Sequence, residues 1–222
     1  MLFIAELGSM HKGIEPLVYE MVRRAKLAGA DAAKFQFGWP ESGGPIRRWA
    51  TENGKTIRQW CTHFDIKLMA SVFSWAGLAV AESCGVDYLK MAHPETFAKN
   101  APEGEDYDRL LHLCMESYKP VFVSERFVEG AKTLYCIPRY PVYQHELTLP
   151  AHFSTYYGYS SHTHGIEDAL LAIARGAKLI EKHVTLDKTE ETIKDNAFAL
   201  SFDEFAEMVN IGRRLEKLAE VA

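Results

Sequence analysis

Along the chain, short apolar runs alternate with amphipathic stretches. The first run covers Leu2–Leu7, and the stretch after it, Ile14–Ala28, carries Leu17, Met21, Val22 and Ala25 at helical spacing before a stop at Gly29. The unit then recurs. Further runs lie at Asp31–Phe37, Lys67–Phe73, Asp87–Ala92, Pro120–Ser124, Thr133–Ile137, Tyr156–Ser160 and Lys178–Val184. Helical patterns fall around Lys55–His63, Ala76–Ser83, Tyr107–Ser117, Ile166–Arg175 and Phe202–Leu218. Eight strand signals with helices between them predict an α/β fold, a (β/α)8 TIM barrel, rather than an open sheet. Only eight residues separate Ser124 from Thr133, too few for a helix and its loops. The barrel is therefore expected to be shortened, with its fifth helix reduced or absent and either an open groove or a partner subunit there. The sixth run is followed by only a short polar stretch.

Composition narrows the picture. The chain has 222 residues, of which 47% are hydrophobic and 25% charged, and no linker or charge block divides it. One domain over residues 1–222 is expected. A formal net charge of −5 argues against a nucleic-acid binder but leaves room for a local pocket that takes an anion. Cys61, Cys84, Cys114 and Cys136 form no C-x-x-C pair and sit in apolar contexts, which reads as reduced core thiols. The N-terminus has no basic region, and its apolar run is too short for a signal peptide or a membrane span. A cytoplasmic protein with no membrane attachment is expected.

In such a barrel, the side chains at the C-terminal ends of the strands form the active site. Those ends carry Glu6, Lys34, Gln36, Ser71, Lys90, Ser124, Tyr140, Ser160, His162 and His183. A packed core does not need this set, because each polar group buried without a partner costs about 1–3 kcal/mol. Lys34 and Lys90 stand inside apolar runs and need an anion: a structural pair with Glu6 or Glu95, or a bound phosphate, which the two together favour. His162 and His183 end adjacent strands about 4.8 Å apart, so their imidazoles can meet on one divalent ion, with Glu6 nearby. Two nitrogens with oxygen or water ligands suit Mn²⁺, Zn²⁺ or Mg²⁺, and the residues do not choose among them. His164 is assigned to capping the next helix, and His11, His63, His112, His145 and His152 to no site.

The segments IAELGSMHKG, GADAAKFQ, ASVFS, DYLKMAHPE, YPVYQHELTL, GYSSHTHGIEDALLAIARGAKLIEKHVTLDK and KDNAFALSFDEF, in this order, resemble the sialic acid synthase family. That family includes N-acetylneuraminate, legionaminate and pseudaminate synthases and spore-coat polysaccharide relatives. The resemblance implies a transferase of carbohydrate biosynthesis. Its members condense phosphoenolpyruvate with an aldose-type acceptor such as N-acetylmannosamine, giving a nonulosonic 2-keto acid and phosphate. Carried over by position, it implies that Glu6 lies close to the reacting carbons and that Lys34, Ser71, Lys90 and Ser160 bind phosphoenolpyruvate. Gln36, Tyr140, Glu95 and Asp195 would face the acceptor, and His162 and His183 would hold the metal. A homodimer is expected from the same resemblance.

The departures from the family pattern are specific. His93 stands where the family has a phosphoenolpyruvate-binding serine, Pro138 where it has an asparagine, Ser161 where it has an aspartate, and Met10 where it has another asparagine. PVFVSERF lacks the usual S-T-G-M. The family's segment before the first strand and its C-terminal antifreeze-like domain are expected to be missing. His93 and Arg139 are read either as replacement positive charge that keeps the affinity for anions or, equally, as marks of a pocket drifted to a different substrate. Two alternatives accompany the synthase reading. One is a metal-dependent lyase or phosphoester hydrolase, and the other a divergent member that binds a sugar or sugar phosphate without condensing it.

Overall fold

Eight parallel strands close on themselves in the computed structural model, which describes residues 1–219. They are β1 (Leu2–Glu6), β2 (Ala32–Phe37), β3 (Lys67–Val72), β4 (Tyr88–Met91), β5 (Val121–Ser124), β6 (Lys132–Cys136), β7 (Gly158–Ser161) and β8 (Leu179–Thr185). Each pairs with the next, and β8 returns to β1, with Glu6 in register with His183. A two-residue strand, β9 (Leu200–Ser201), extends the end of β8. This is the expected (β/α)8 barrel.

The expected helices form as α1 (Glu15–Leu27), α3 (Gly54–His63), α4 (Trp75–Cys84), α6 (Tyr107–Ser117), α7 (Glu167–Ala174) and α8 (Phe202–Ala219). Two more were not expected: α2 (Gly44–Glu52) and α5 (Pro94–Asn100). Both are short, and both begin at a proline or glycine that reads as a turn but also suits a first helical position. Residues 125–131 between β5 and β6 form no helix, as the spacing required. Between β6 and β7 there is only the 3-10 turn Gln144–Glu146. A groove of about 870 Å³, lined by Phe127, Thr133, Phe153 and Tyr156 among others, opens beside the short fifth crossover. Among the described residues, no helix is long and apolar enough to cross a membrane.

The strands' alternation of faces divides the barrel interior into two layers. Ile4, Ala32, Met69, Phe122, Leu134 and Leu179 make a buried apolar plug, distinct from the larger core outside the barrel. Two residues further along those same strands stand Glu6, Lys34, Ser71, Ser124, Cys136 and Glu181, all buried. Lys90 on β4 and Ser160 on β7 complete the upper layer. The opposite faces, including Phe3, Ala33, Phe35, Leu68, Val123 and Ile180, pack outward beneath the helices. Gly158 is required in β7, because a Cβ there would run into the Leu179 carbonyl of β8. The plug thus closes one end of the barrel and leaves the polar layer open at the other.

Candidate active site at the open end of the barrel

The upper layer is an ion cluster. The Lys34 and Lys90 ammoniums each lie 2.7 Å from Glu181 Oε1, and Lys34 is also 3.0 Å from Glu6 Oε2. Ser160 Oγ donates to Glu181 Oε1 at 2.8 Å and accepts from Lys90 at 3.2 Å. Burial opposes charge on every member, and mutual attraction overcomes it for Glu181 and Lys34 but not for Lys90 and Glu6. Burial alone would raise the Glu181 carboxyl, but the two lysines hold it well below the usual carboxylate range. Lys34, flanked by two carboxylates, stays above the ordinary lysine value in spite of its burial. Burial lowers Lys90 and raises Glu6. An ammonium has three N–H donors. Lys90 engages two of its donors, on Glu181 Oε1 and Ser160 Oγ, which leaves one for a ligand, while Lys34 meets its two carboxylates as ion pairs. Glu181 Oε2 is buried with no hydrogen-bond partner among the described residues.

Glu6 is positioned from its other side. Gln36 Nε2 donates to Glu6 Oε1 at 2.8 Å, and Trp39 Nε1 donates to Gln36 Oε1 at 3.1 Å. Gly8 (φ 48°) lets the backbone pass close by, since a Cβ there would come within 3.3 Å of Glu6 Oε1.

His162 follows β7 directly, and the pairing of Ser161 with Lys182 brings it level with His183. Their ring centroids are 5.7 Å apart. His162 Nδ1 lies 3.0 Å from the Ile137 carbonyl, so it carries the proton and Nε2 is the free nitrogen. Burial lowers His162 to about 4 and His183 well below its ordinary value, so both rings are neutral at pH 7. His183 Nδ1 is buried without a partner. Two neutral imidazoles with free nitrogens fit a divalent cation as donors. No group of three or more His, Cys, Asp or Glu side chains is placed to share one among the described residues, so Glu6 does not complete such a set.

The cavity above these groups has a volume of about 510 Å³ and is lined by all the residues expected there except Glu95. Ser71 and Ser124 line its inner part, and Tyr140, Arg139, His93 and Asp195 its outer part. The Tyr140 ring lies 4.1 Å from that of His162, and its hydroxyl is 3.4 Å from Thr96 Oγ1. Burial raises the Asp195 carboxyl, against the pull of Arg47 and Lys194. Burial likewise pushes the Cys136 thiol up to about 11, which keeps it protonated. All four cysteines are free and buried.

Several expectations are corrected. The lysines' shared anion is Glu181, which was overlooked, together with Glu6; Glu95 pairs with neither. Glu95 is exposed because α5 begins immediately after β4 and turns its second residue outward. His93 does not supply positive charge. Its Nδ1 accepts the Glu95 N–H at 3.1 Å, and burial lowers its pKa. Arg139 is ion-paired with Glu146 at 2.9 Å. His164 is exposed and does not cap α7, whose N-cap is Ile166. Arg47, Lys99, Lys194 and Trp39, which also line the cavity, were missed. Trp39 and Lys194 lie in loop or 3-10 segments, and Arg47 and Lys99 on the two unexpected helices.

Residues 48–221 match the NeuB family. The chain is 28% identical to the pseudaminic acid synthase of Campylobacter jejuni, over 96% of this chain and 73% of that protein. It is 26% identical to the human N-acetylneuraminate-9-phosphate synthase, over 96% of this chain and 70% of that protein. The crystal structure of the sialic acid synthetase of Leptospira borgpetersenii in complex with citrate superimposes with a TM-score of 0.85 at 25% identity. That match covers 98% of this chain and 84% of the other.

Proposed function

The chain belongs to the NeuB family, and from that premise we propose that it condenses phosphoenolpyruvate with an N-acetylmannosamine-like aldose, giving a nonulosonic 2-keto acid and phosphate. It is a sialic acid synthase-like enzyme. The observation that carries the finer reading is the pair of buried lysines held on one carboxylate at the floor of an open cavity. Lys34 and Lys90 bind the phosphate and carboxylate of phosphoenolpyruvate, with the hydroxyls of Ser71, Ser124 and Ser160 as further donors. Glu181 keeps both ammoniums in place when no substrate is bound.

His162, through Nε2, and His183 are the residues that would hold a divalent metal, Mn²⁺ in this reading. When bound, that ion supplies Lewis-acid polarisation of an aldehyde oxygen. The two lysines orient the enol so that its C3 forms a bond to the aldehyde carbon as the C2=C3 and aldehyde C=O π bonds open. The aldehyde oxygen takes up a proton that the water later replaces. Water then adds at C2, and Glu6, with its raised pKa, accepts the proton that the water loses. The bond between C2 and the phosphate oxygen breaks, the C2 carbonyl forms, and phosphate leaves. Gln36 holds Glu6 Oε1 throughout, and Tyr140 and Asp195 face the acceptor.

The test is phosphate release from phosphoenolpyruvate by the purified chain with Mn²⁺ and a panel of aldoses. Release that depends on an acceptor is the expected result. Release without one would assign phosphoester hydrolysis instead. Phosphoenolpyruvate binding without release, whatever the aldose, would leave a binding protein.

A further inference from the structure

The outward faces of β7 and β8 are apolar except at one place. Tyr159, Ile180 and Val184 pack beneath the helices, but Ser161 and Lys182, partners in the β7–β8 register, are buried there together with Asp168 of α7. The Lys182 ammonium lies 3.4 Å from Asp168 Oδ1, donates to the Thr163 carbonyl at 2.7 Å and reaches Thr163 Oγ1 at 3.3 Å. Asp168 Oδ2 accepts from Ser161 Oγ at 2.5 Å, and the same hydroxyl is 3.2 Å from Thr163 Oγ1. A buried ion pair is a weaker source of stability than apolar side chains of similar volume, so its place on this face calls for another reason.

The reason lies in what the pair grips. Register pairing of β7 with β8 ends at Ser161 and Lys182, so His162 stands just beyond the ladder. The Val142 N–H donates to its carbonyl at 2.9 Å. The ion pair fastens the residues on both sides of it: Asp168 holds Ser161, and Lys182 holds Thr163. Lys182 also directly precedes His183, whose ring points the other way, into the cavity. One ion pair outside the barrel therefore sits behind both imidazoles inside it.

We propose that Asp168 and Lys182 are positioning residues for the histidine pair: they hold the backbone around His162 and His183 so that both imidazoles meet one divalent cation. This rests on the reading of His162 and His183 as the residues that would hold a metal, and not on the condensation. Groups that orient metal ligands from behind contribute about tenfold to a hundredfold in metal affinity. A backbone clamp acts on the ligands in the same way, because each imidazole can move no further than its own Cα allows.

The experiment titrates Mn²⁺ by calorimetry into the wild type, His162→Ala, Asp168→Leu/Lys182→Met, Asp168→Asn and Ser161→Asp/Asp168→Asn, with urea unfolding of each. Asp168→Leu/Lys182→Met replaces the pair by apolar side chains of similar volume, so its stability should stay near that of the wild type. Its Mn²⁺ affinity should nevertheless fall about tenfold or more. Asp168→Asn should weaken binding likewise. Ser161→Asp/Asp168→Asn returns a carboxylate at the register partner of Lys182 and should restore most of that affinity. Wild-type affinity in Asp168→Leu/Lys182→Met overturns the positioning role and leaves the metal site standing. A loss in Asp168→Asn that Ser161→Asp does not repair overturns it too, even if the apolar variant fails to fold. Binding as weak in the wild type as in His162→Ala overturns the metal site and the positioning role together, while phosphate release still decides the condensation by itself.

Discussion

The two layers inside this barrel are built from the same strands, two residues apart, and they do opposite work. The lower layer, from Ile4 round to Leu179, is apolar and fills space. The upper layer, from Glu6 round to Glu181, holds four buried ionisable groups that stabilise one another only as a set. A buried ion cluster is a poor source of stability compared with well-packed apolar side chains of similar volume. Its presence directly above an apolar plug argues that it is kept for binding and chemistry. The plug supplies the rigid floor that such a site needs.

That contrast can be broken most forcefully at Glu181. Glu181→Ala removes the anion that both lysines share and leaves two buried cations close together. The expected loss is about 3–5 kcal/mol in urea unfolding, together with loss of phosphoenolpyruvate binding. A variant as stable as the wild type would mean that the cluster is not coupled as described. In the lower layer, Leu134→Ala should cost about 2–5 kcal/mol through the cavity it leaves, with ligand affinity nearly unchanged in the folded fraction. Loss of affinity on the same scale as loss of stability would erase the distinction between the layers.

The smallest effect is expected where charge meets water at the plug end. Asp87 lies 2.6 Å from Arg58 and 3.0 Å from Lys67, and accepts the Leu68 N–H at 2.9 Å. Burial opposes its charge, but these partners hold the carboxyl below its usual value. A depressed folded pKa gives stability that is present above the unfolded value, about 4, and is lost as the pH falls through the folded one. The stability gap between wild type and Asp87→Asn should therefore narrow between about pH 6 and about pH 3. A gap that stays constant would show that Asp87 titrates alike in both states.

The strands were legible because each is a short apolar run, and the missing fifth helix because arithmetic forbade it. Lys34 and Lys90 stood out as single charges in such runs. Glu181 did not, because LIEKHVT carries three consecutive polar residues and only the last of them, His183, has a partner of its own kind on the neighbouring strand. Strand alternation separates them. Glu181 and His183 share the inward face, whereas Lys182 points outward, where it donates to the Thr163 carbonyl at 2.7 Å and lies 3.4 Å from Asp168. Glu95 was misjudged for a different reason: which way a side chain points after a strand depends on where the next helix begins, and α5 gives no periodic signal. Arg47, Lys99 and Lys194 escaped because an exposed lysine or arginine looks the same in sequence whether or not it faces a cavity.

The most direct measurement is the affinity for phosphoenolpyruvate, by calorimetry, of the wild type, Lys90→Met and Leu134→Ala. Lys90→Met removes a donor from the upper layer and should weaken binding about tenfold or more, while Leu134→Ala binds within about twofold of wild type despite its greater loss of stability. Wild-type affinity in Lys90→Met would contradict the assignment of the upper layer as the substrate-binding site.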